Sequence, residues 1–131
     1  MAKAKEKHFH AWSNVPDGST LFVSAKGTTS KKLLLVTVDG LEIPPEGPAK
    51  LIVGILDSVA GKPMPIPLTS PNIYAIDINL HFMTAAVAVV HAHIEGPDGA
   101  LFDVPFDTKI SRKKGAVETV VLSIGMRPGR R

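Results

Sequence analysis

Glycine and proline interrupt this chain at short intervals, and their placement limits its possible folds more than any other sequence feature. The 131 residues include 11 Gly and 11 Pro, which cluster between short apolar runs. Proline lacks a backbone donor and restricts its neighbours, while glycine supplies turn conformations, so long helices do not pass through such clusters. Segments 15–18 (Val-Pro-Asp-Gly) and 96–99 (Gly-Pro-Asp-Gly) are typical of tight turns. This spacing predicts an antiparallel all-β domain.

Eight apolar segments lie between these interruptions and are long enough to be strands. The predicted strands are Lys7–Ser13, Leu21–Lys26, Lys32–Val38, Ala49–Asp57, Asn72–Phe82, Ala85–Glu95, Leu101–Ile110 and Val117–Met126. The third is expected to end at Asp39-Gly40, and Leu51, Val53 and Ile55 share one face of the fourth. Segment 60–71 contains four prolines, so we expect an extended edge or a loop there.

The segment Asn72–Phe82 has the clearest alternation of apolar and polar side chains. Ile76, Ile78 and Leu80 fall on one face, whereas Asp77 and Asn79 fall on the other. Together with the eight strands, this pattern predicts a single-domain antiparallel β-sandwich, immunoglobulin-like or similar. A small β-barrel is the alternative, although eight strands are too many for a five-stranded barrel of the OB type.

Length and cysteine content limit the domain organisation and the chemistry. A chain of 131 residues suits one domain, 1–131, with flexible basic ends at about 1–6 and 127–131. The sequence has no cysteine, which excludes disulfides, thiolate metal sites and thiol nucleophiles. No apolar run is long enough to span a membrane, and residues 7–10 (Lys-His-Phe-His) interrupt any signal-peptide core. We therefore expect a cytoplasmic protein without a membrane partner.

Catalytic motifs are not evident in the sequence. There is no Gly-X-Ser-X-Gly elbow around Ser58, Ser70 or Ser123. The glycines form neither a phosphate-binding loop nor a dinucleotide fingerprint. The sequence therefore predicts a protein that is not an enzyme and has no cofactor, a divalent transition metal being the alternative.

That alternative depends on five histidines, two pairs of which have the spacing of a chelate. Because residues two apart on a strand share a face, His8 with His10, or His91 with His93, could bind one ion. His81 would complete a three-histidine site if its strand paired with that of His91 and His93. However, His81 shares a face with polar residues, as an ordinary exposed strand histidine does. A His-X-His metal-binding domain is thus the first alternative function.

Weak nucleic-acid binding through the basic ends is the second alternative. The formal net charge is only +3, and much of it lies near the two termini. Nucleic-acid surfaces combine basic residues with stacking aromatics, and here only Phe9 and Trp12 lie near Lys5 and Lys7. Nucleic acid is therefore the less favoured partner.

Apolar composition favours assembly. The mean hydropathy is +0.16 with 21% charged residues, which is apolar for a small soluble domain. The segment 85–90 is almost wholly apolar, as expected of a strand covered on both faces or of one that lends a face to a partner. The sequence therefore predicts a non-catalytic β-sandwich acting through protein–protein contacts or self-association, with a two-fold homodimer as the favoured assembly.

Overall fold

The computed structural model describes residues 8–27 and 34–128, and these form nine strands and no α-helix. The strands are β1 (Phe9–Val15), β2 (Thr20–Gly27), β3 (Leu34–Ile43), β4 (Lys50–Leu56), β5 (Met64–Pro67), β6 (Ile73–Phe82), β7 (Ala86–Glu95), β8 (Leu101–Arg112) and β9 (Val117–Met126). In the described part of the chain, no helix is long and apolar enough to cross a membrane.

The strands form two sheets that pack face to face. Sheet A has five strands in the order β1-β9-β6-β3-β4, and sheet B has four in the order β5-β2-β7-β8. Neighbouring strands are antiparallel except β1 and β9, which are parallel. The predicted β-sandwich is confirmed and the barrel alternative is wrong, because both sheets remain open. Resemblance to immunoglobulin domains stays a prediction.

Alternating side chains build the core between the sheets. Ile76, Ile78 and Leu80 of β6 are fully buried, as the alternation predicted, and Val90 and Ala92 of β7 belong to the same cluster. Burying each large aliphatic side chain contributes about 1.5–3 kcal/mol. On the outer faces the same periodicity leaves the intervening residues of each strand accessible to ligands and partners.

The end of the third strand and the number of strands differ from the sequence-based expectations. The predicted end of the third strand at Asp39-Gly40 is wrong, since β3 continues to Ile43 and pairs with β6 along its whole length. Gly40 packs against the neighbouring strand instead of turning the chain, for a Cβ there would lie 2.7 Å from Ile76 Cδ1. The proline-rich segment 60–71 contributes a ninth strand, β5, at one edge of sheet B, which agrees with the extended edge expected there.

Some predicted features lie partly or wholly outside the residues that the structure describes. Residues 1–6 and 129–131 of the expected flexible ends, and the first residues of the first and third predicted strands, lie outside the described residues. Within the second basic end, the Arg127 N–H donates to the Val15 carbonyl at 2.7 Å.

Strand β7 is buried on one face only, because Val89 is exposed between buried Ala88 and Val90. The described residues therefore do not cover both faces of segment 85–90.

Candidate functional site

Four polar side chains form a continuous row on the outer face of sheet B. His91 Nδ1 lies 2.6 Å from Asp107 Oδ1, and His91 Nε2 lies 3.1 Å from His93 Nδ1. His93 Nε2 in turn lies 3.1 Å from Glu95 Oε2. We call these four residues the histidine row.

The local sequence explains how the histidine row forms. On β7, His91, His93 and Glu95 alternate with the buried Ala92 and Ile94, so all three polar side chains point outward. The β7–β8 register places Asp107 directly opposite His91. Across the other neighbour, Phe22 of β2 pairs with His93 and stacks on its ring, with centroids 5.2 Å apart. Three strands thus hold the row.

Hydrogen-bond chemistry fixes the ring tautomers in this row. A carboxylate oxygen only accepts, so the nitrogen of each ring that faces a carboxylate carries the hydrogen: Nδ1 of His91 and Nε2 of His93. In the neutral rings the other two nitrogens, His91 Nε2 and His93 Nδ1, then carry lone pairs. These two nitrogens face each other at 3.1 Å. The contact between them is a hydrogen bond only when one of the two rings carries a second proton.

His81 is not part of this row. It lies on β6 in sheet A, whereas His91 and His93 lie on β7 in sheet B. Its strand neighbours are Leu35 of β3 and Val117 of β9. The condition for a three-histidine site is therefore not met, because the strands that carry these histidines do not pair.

His8 and His10 do not converge on a common point either. His10 packs its ring against Trp12 at 4.5 Å and against Phe106 at 5.3 Å between centroids. His8 is buried, and its Nε2 lies 3.4 Å from Glu118 Oε1 without hydrogen-bond geometry. His10 thus makes packing contacts, whereas neither buried ring nitrogen of His8 has a hydrogen-bond partner among the described residues.

Within residues 8–27 and 34–128, no three His, Asp or Glu side chains are arranged around one ion position. The histidine row brings together two imidazoles with one carboxylate at each end. Its Asp107–His91 pair has the carboxylate–imidazole arrangement of a hydrolase triad, yet His91 Nε2 is directed at another imidazole rather than at a hydroxyl.

Ser58, Ser70 and Trp12 have structural contacts, whereas Phe9 is 51% exposed. The Ser58 hydroxyl donates to the Leu34 carbonyl at 2.6 Å, and the Ser70 hydroxyl donates to the Arg127 carbonyl. Trp12 is buried, and its indole N–H donates to the Val104 carbonyl at 3.2 Å. Because its ring faces the core, Trp12 offers no stacking platform for a nucleic-acid base.

A second surface lies at the opposite edge of the molecule, on sheet A. Leu51, Val53 and Ile55 of β4 are 78%, 65% and 73% exposed. They point outward with their β3 neighbours, and strand β4 is the last strand of its sheet, so no strand among residues 8–27 and 34–128 pairs with its other side. We call this strand and its three exposed aliphatic side chains the β4 edge. The alternation grouped these residues on one face, but it did not indicate that the face is exposed.

The other three outermost strands in the described part of the chain carry features that block edge pairing. Strand β5 contains Pro65 and Pro67, and β8 contains Pro105 together with a register shift. Strand β1 is irregular, with a register shift next to Asn14 at φ 60°. Prolines and bulges of this kind prevent an edge from pairing with another chain. By contrast, β4 pairs with β3 in unbroken register and has no proline.

Comparisons with models of protein families, with curated proteins and with solved structures found no match to this chain. The functions of both candidate surfaces are therefore inferred from their own residues and contacts.

Proposed function

We propose that this protein acts through self-association, with two copies pairing antiparallel along the β4 edge. The observation that carries the proposal is the exposure of Leu51, Val53 and Ile55 on an edge strand without proline, bulge or internal charge. Contiguous exposed aliphatic surface is uncommon on monomers and marks interaction sites. An unpaired strand edge supplies the backbone donors and acceptors for such pairing.

A two-fold axis fits the sequence of this strand. Val53 is the middle residue of Lys50–Leu56, so an antiparallel pair centred there places Val53 opposite Val53 of the second copy. Leu51 then lies opposite Ile55 of the second copy, on the same face of the sheet. The two five-stranded sheets would continue into one another. The aliphatic side chains would cover each other along the new strand pair.

The expected dimer is reversible. Full burial of an aliphatic side chain contributes about 1.5–3 kcal/mol, and because edge-to-edge pairing covers the three from each copy only in part, their sum is an upper limit. The sum is of the same order as the roughly 4–15 kcal/mol that association costs in lost freedom. The population of dimer should therefore depend on protein concentration.

The distribution of edge features favours a closed dimer over a filament. Pairing of β4 with its copy occupies this edge in both molecules, and the two-fold contact leaves no second β4 edge for growth. The remaining outermost strands carry the prolines and register shifts described above. Assembly therefore stops at two copies.

Val53→Lys tests the proposal, with Val104→Lys as the matched control. Val53 is 65% exposed on β4, and Val104 is 66% exposed on the interrupted edge strand β8. A lysine at position 53 faces Asp39 across the β3–β4 pair, so the monomer should retain its fold. Two lysines brought together at the two-fold axis should prevent pairing.

Analytical ultracentrifugation across a concentration series gives the readout. We expect a monomer–dimer equilibrium for the wild type and for Val104→Lys, and a monomer for Val53→Lys with an unchanged circular dichroism spectrum. A wild type that stays monomeric throughout the series overturns self-association. Equal loss of the dimer in both variants would place the contact away from the β4 edge.

A further inference from the structure

We propose that His91 and His93 bind one divalent transition-metal ion through His91 Nε2 and His93 Nδ1. This site lies on sheet B, away from the β4 edge on sheet A, so the inference does not rest on the proposed self-association. The proposed site has two imidazole ligands, and water fills the remaining coordination positions of the ion.

The facing nitrogens are the first reason for the assignment. Since Asp107 and Glu95 accept from the outer nitrogens, the neutral rings present lone pairs from His91 Nε2 and His93 Nδ1 to each other. Two lone pairs at 3.1 Å repel unless a cation lies between them. A proton or a metal ion satisfies this requirement, and imidazole nitrogen is a preferred ligand of zinc, copper and nickel.

The separation of the two nitrogens suits a chelate. Imidazole nitrogens lie about 2.0–2.1 Å from a bound Zn²⁺. With the two nitrogens 3.1 Å apart, such bond lengths give an angle of about 100° at the metal. This angle lies between the square and the tetrahedral values, so small ring rotations adapt the pair to either geometry. Both copper(II) and zinc(II) are therefore candidate ions.

The carboxylates of Asp107 and Glu95 lie where residues that orient metal-binding histidines are found, outside the coordination sphere of the ion. In metal sites, a ligating histidine almost always donates its other ring N–H to a carboxylate, carbonyl or water, which fixes the tautomer and orients the ring. Here Asp107 holds His91 at 2.6 Å, and Glu95 holds His93 at 3.1 Å. The stack with Phe22 further limits rotation of His93. The ligand pair is thus oriented before any ion arrives.

Accessibility and charge also favour a cation. The side chains of His91 and His93 are 37% and 23% exposed, so an ion reaches the facing nitrogens from solvent. Asp107 and Glu95 place two negative charges at the ends of the row. Because the ligands are neutral imidazoles, the affinity order should follow the Irving–Williams series, with copper(II) bound more tightly than nickel(II) or zinc(II).

Titration of the untagged full-length protein with copper(II) and zinc(II) salts tests the site. Calorimetry should give one ion per chain, and electron paramagnetic resonance of the copper(II) form should show splitting from two nitrogens. The variant His91→Ala/His93→Ala should lose this binding. His81→Ala is the matched control, because His81 lies on the outer face of sheet A, and it should bind as the wild type does.

The variant Asp107→Asn tests whether this carboxylate positions His91 as a metal ligand. Loss of this carboxylate should weaken metal affinity by about 10–100-fold, whereas Asp77→Asn on sheet A should leave it unchanged. Circular dichroism of each apo variant confirms the fold. Stoichiometric binding that survives in His91→Ala/His93→Ala, or that is lost in His81→Ala, overturns the assignment. So does the absence of any one-to-one binding in the wild type.

Discussion

Gly40 shows how a single residue fixes the packing of sheet A. An added Cβ would lie 2.7 Å from Ile76 Cδ1 and 3.2 Å from the Ala75 carbonyl oxygen, and Ile76 is fully buried. Overpacking of this kind costs about 1–3 kcal/mol. The gain from restricting the unfolded chain, about 0.4–1 kcal/mol for Gly→Ala, is smaller. Close approach of β3 and β6 therefore requires glycine here.

Gly40→Ala should accordingly lower the free energy of unfolding by up to about 2.6 kcal/mol, the largest difference between these two effects. Urea denaturation followed by circular dichroism measures the change. Gly125→Ala in β9 is the matched control, because its nearest atom would be Ser13 Cα at 4.0 Å. That variant should be neutral or slightly stabilised. Equal destabilisation of the two would show that strand glycines matter through their backbone rather than through packing.

For single residues, the sequence predicted the two histidines of the histidine row but not the carboxylate on the neighbouring strand. The two-residue period of a strand is a local property, so the sequence placed His91 and His93 on one face. Asp107 lies on another strand, and its position opposite His91 depends on the β7–β8 register, which a bulge alters near Ala92. The sequence leaves open whether the strand of His81 pairs with that of His91 and His93, although β6 directly precedes β7 in the chain. Sequence order does not determine which sheet a strand joins.

Whole strands were better predicted than their pairing. Strand β9 has the predicted bounds, Val117–Met126, because apolar alternation and flanking turn residues agree there. The exposed face of β4 was not foreseen, since Leu51, Val53 and Ile55 have the composition of a core face. Alternation separates two faces of a strand but does not specify which one meets solvent. That assignment requires the packing of the two sheets.

The β4 edge leads to a prediction for the backbone of this element. Alternate residues of an edge strand direct their N–H groups away from the sheet, where water exchanges them readily. Pairing of two copies would protect those amides of β4. Hydrogen exchange in residues 50–56 should therefore slow as protein concentration rises.

Strand β8 provides the internal control for this measurement. It is an outermost strand as well, but Pro105 and its register shift prevent continuous pairing, so exchange there should not depend on concentration. The Val53→Lys variant should show no concentration dependence in either strand. Protection that grows in β8 rather than in β4 would contradict the proposed contact.

On the scale of the whole molecule, the sandwich separates its two candidate surfaces. The β4 edge ends sheet A, whereas the histidine row occupies the outer face of sheet B near β8. A core of buried aliphatic side chains lies between the sheets. Neither surface contributes a residue to the other. Changes at sites that share no partners add in free energy to within a few tenths of a kcal/mol.

Metal binding and dimerisation should consequently vary independently. We expect Val53→Lys to be monomeric with wild-type metal affinity, and His91→Ala/His93→Ala to dimerise as the wild type does without binding metal. Bound ion stabilises the folded state by mass action, so added metal should raise the melting temperature of Val53→Lys and not that of the histidine variant. Sedimentation and melting curves of both, with and without zinc(II), test this. A dimer that forms only with metal would instead show that the ion bridges two copies.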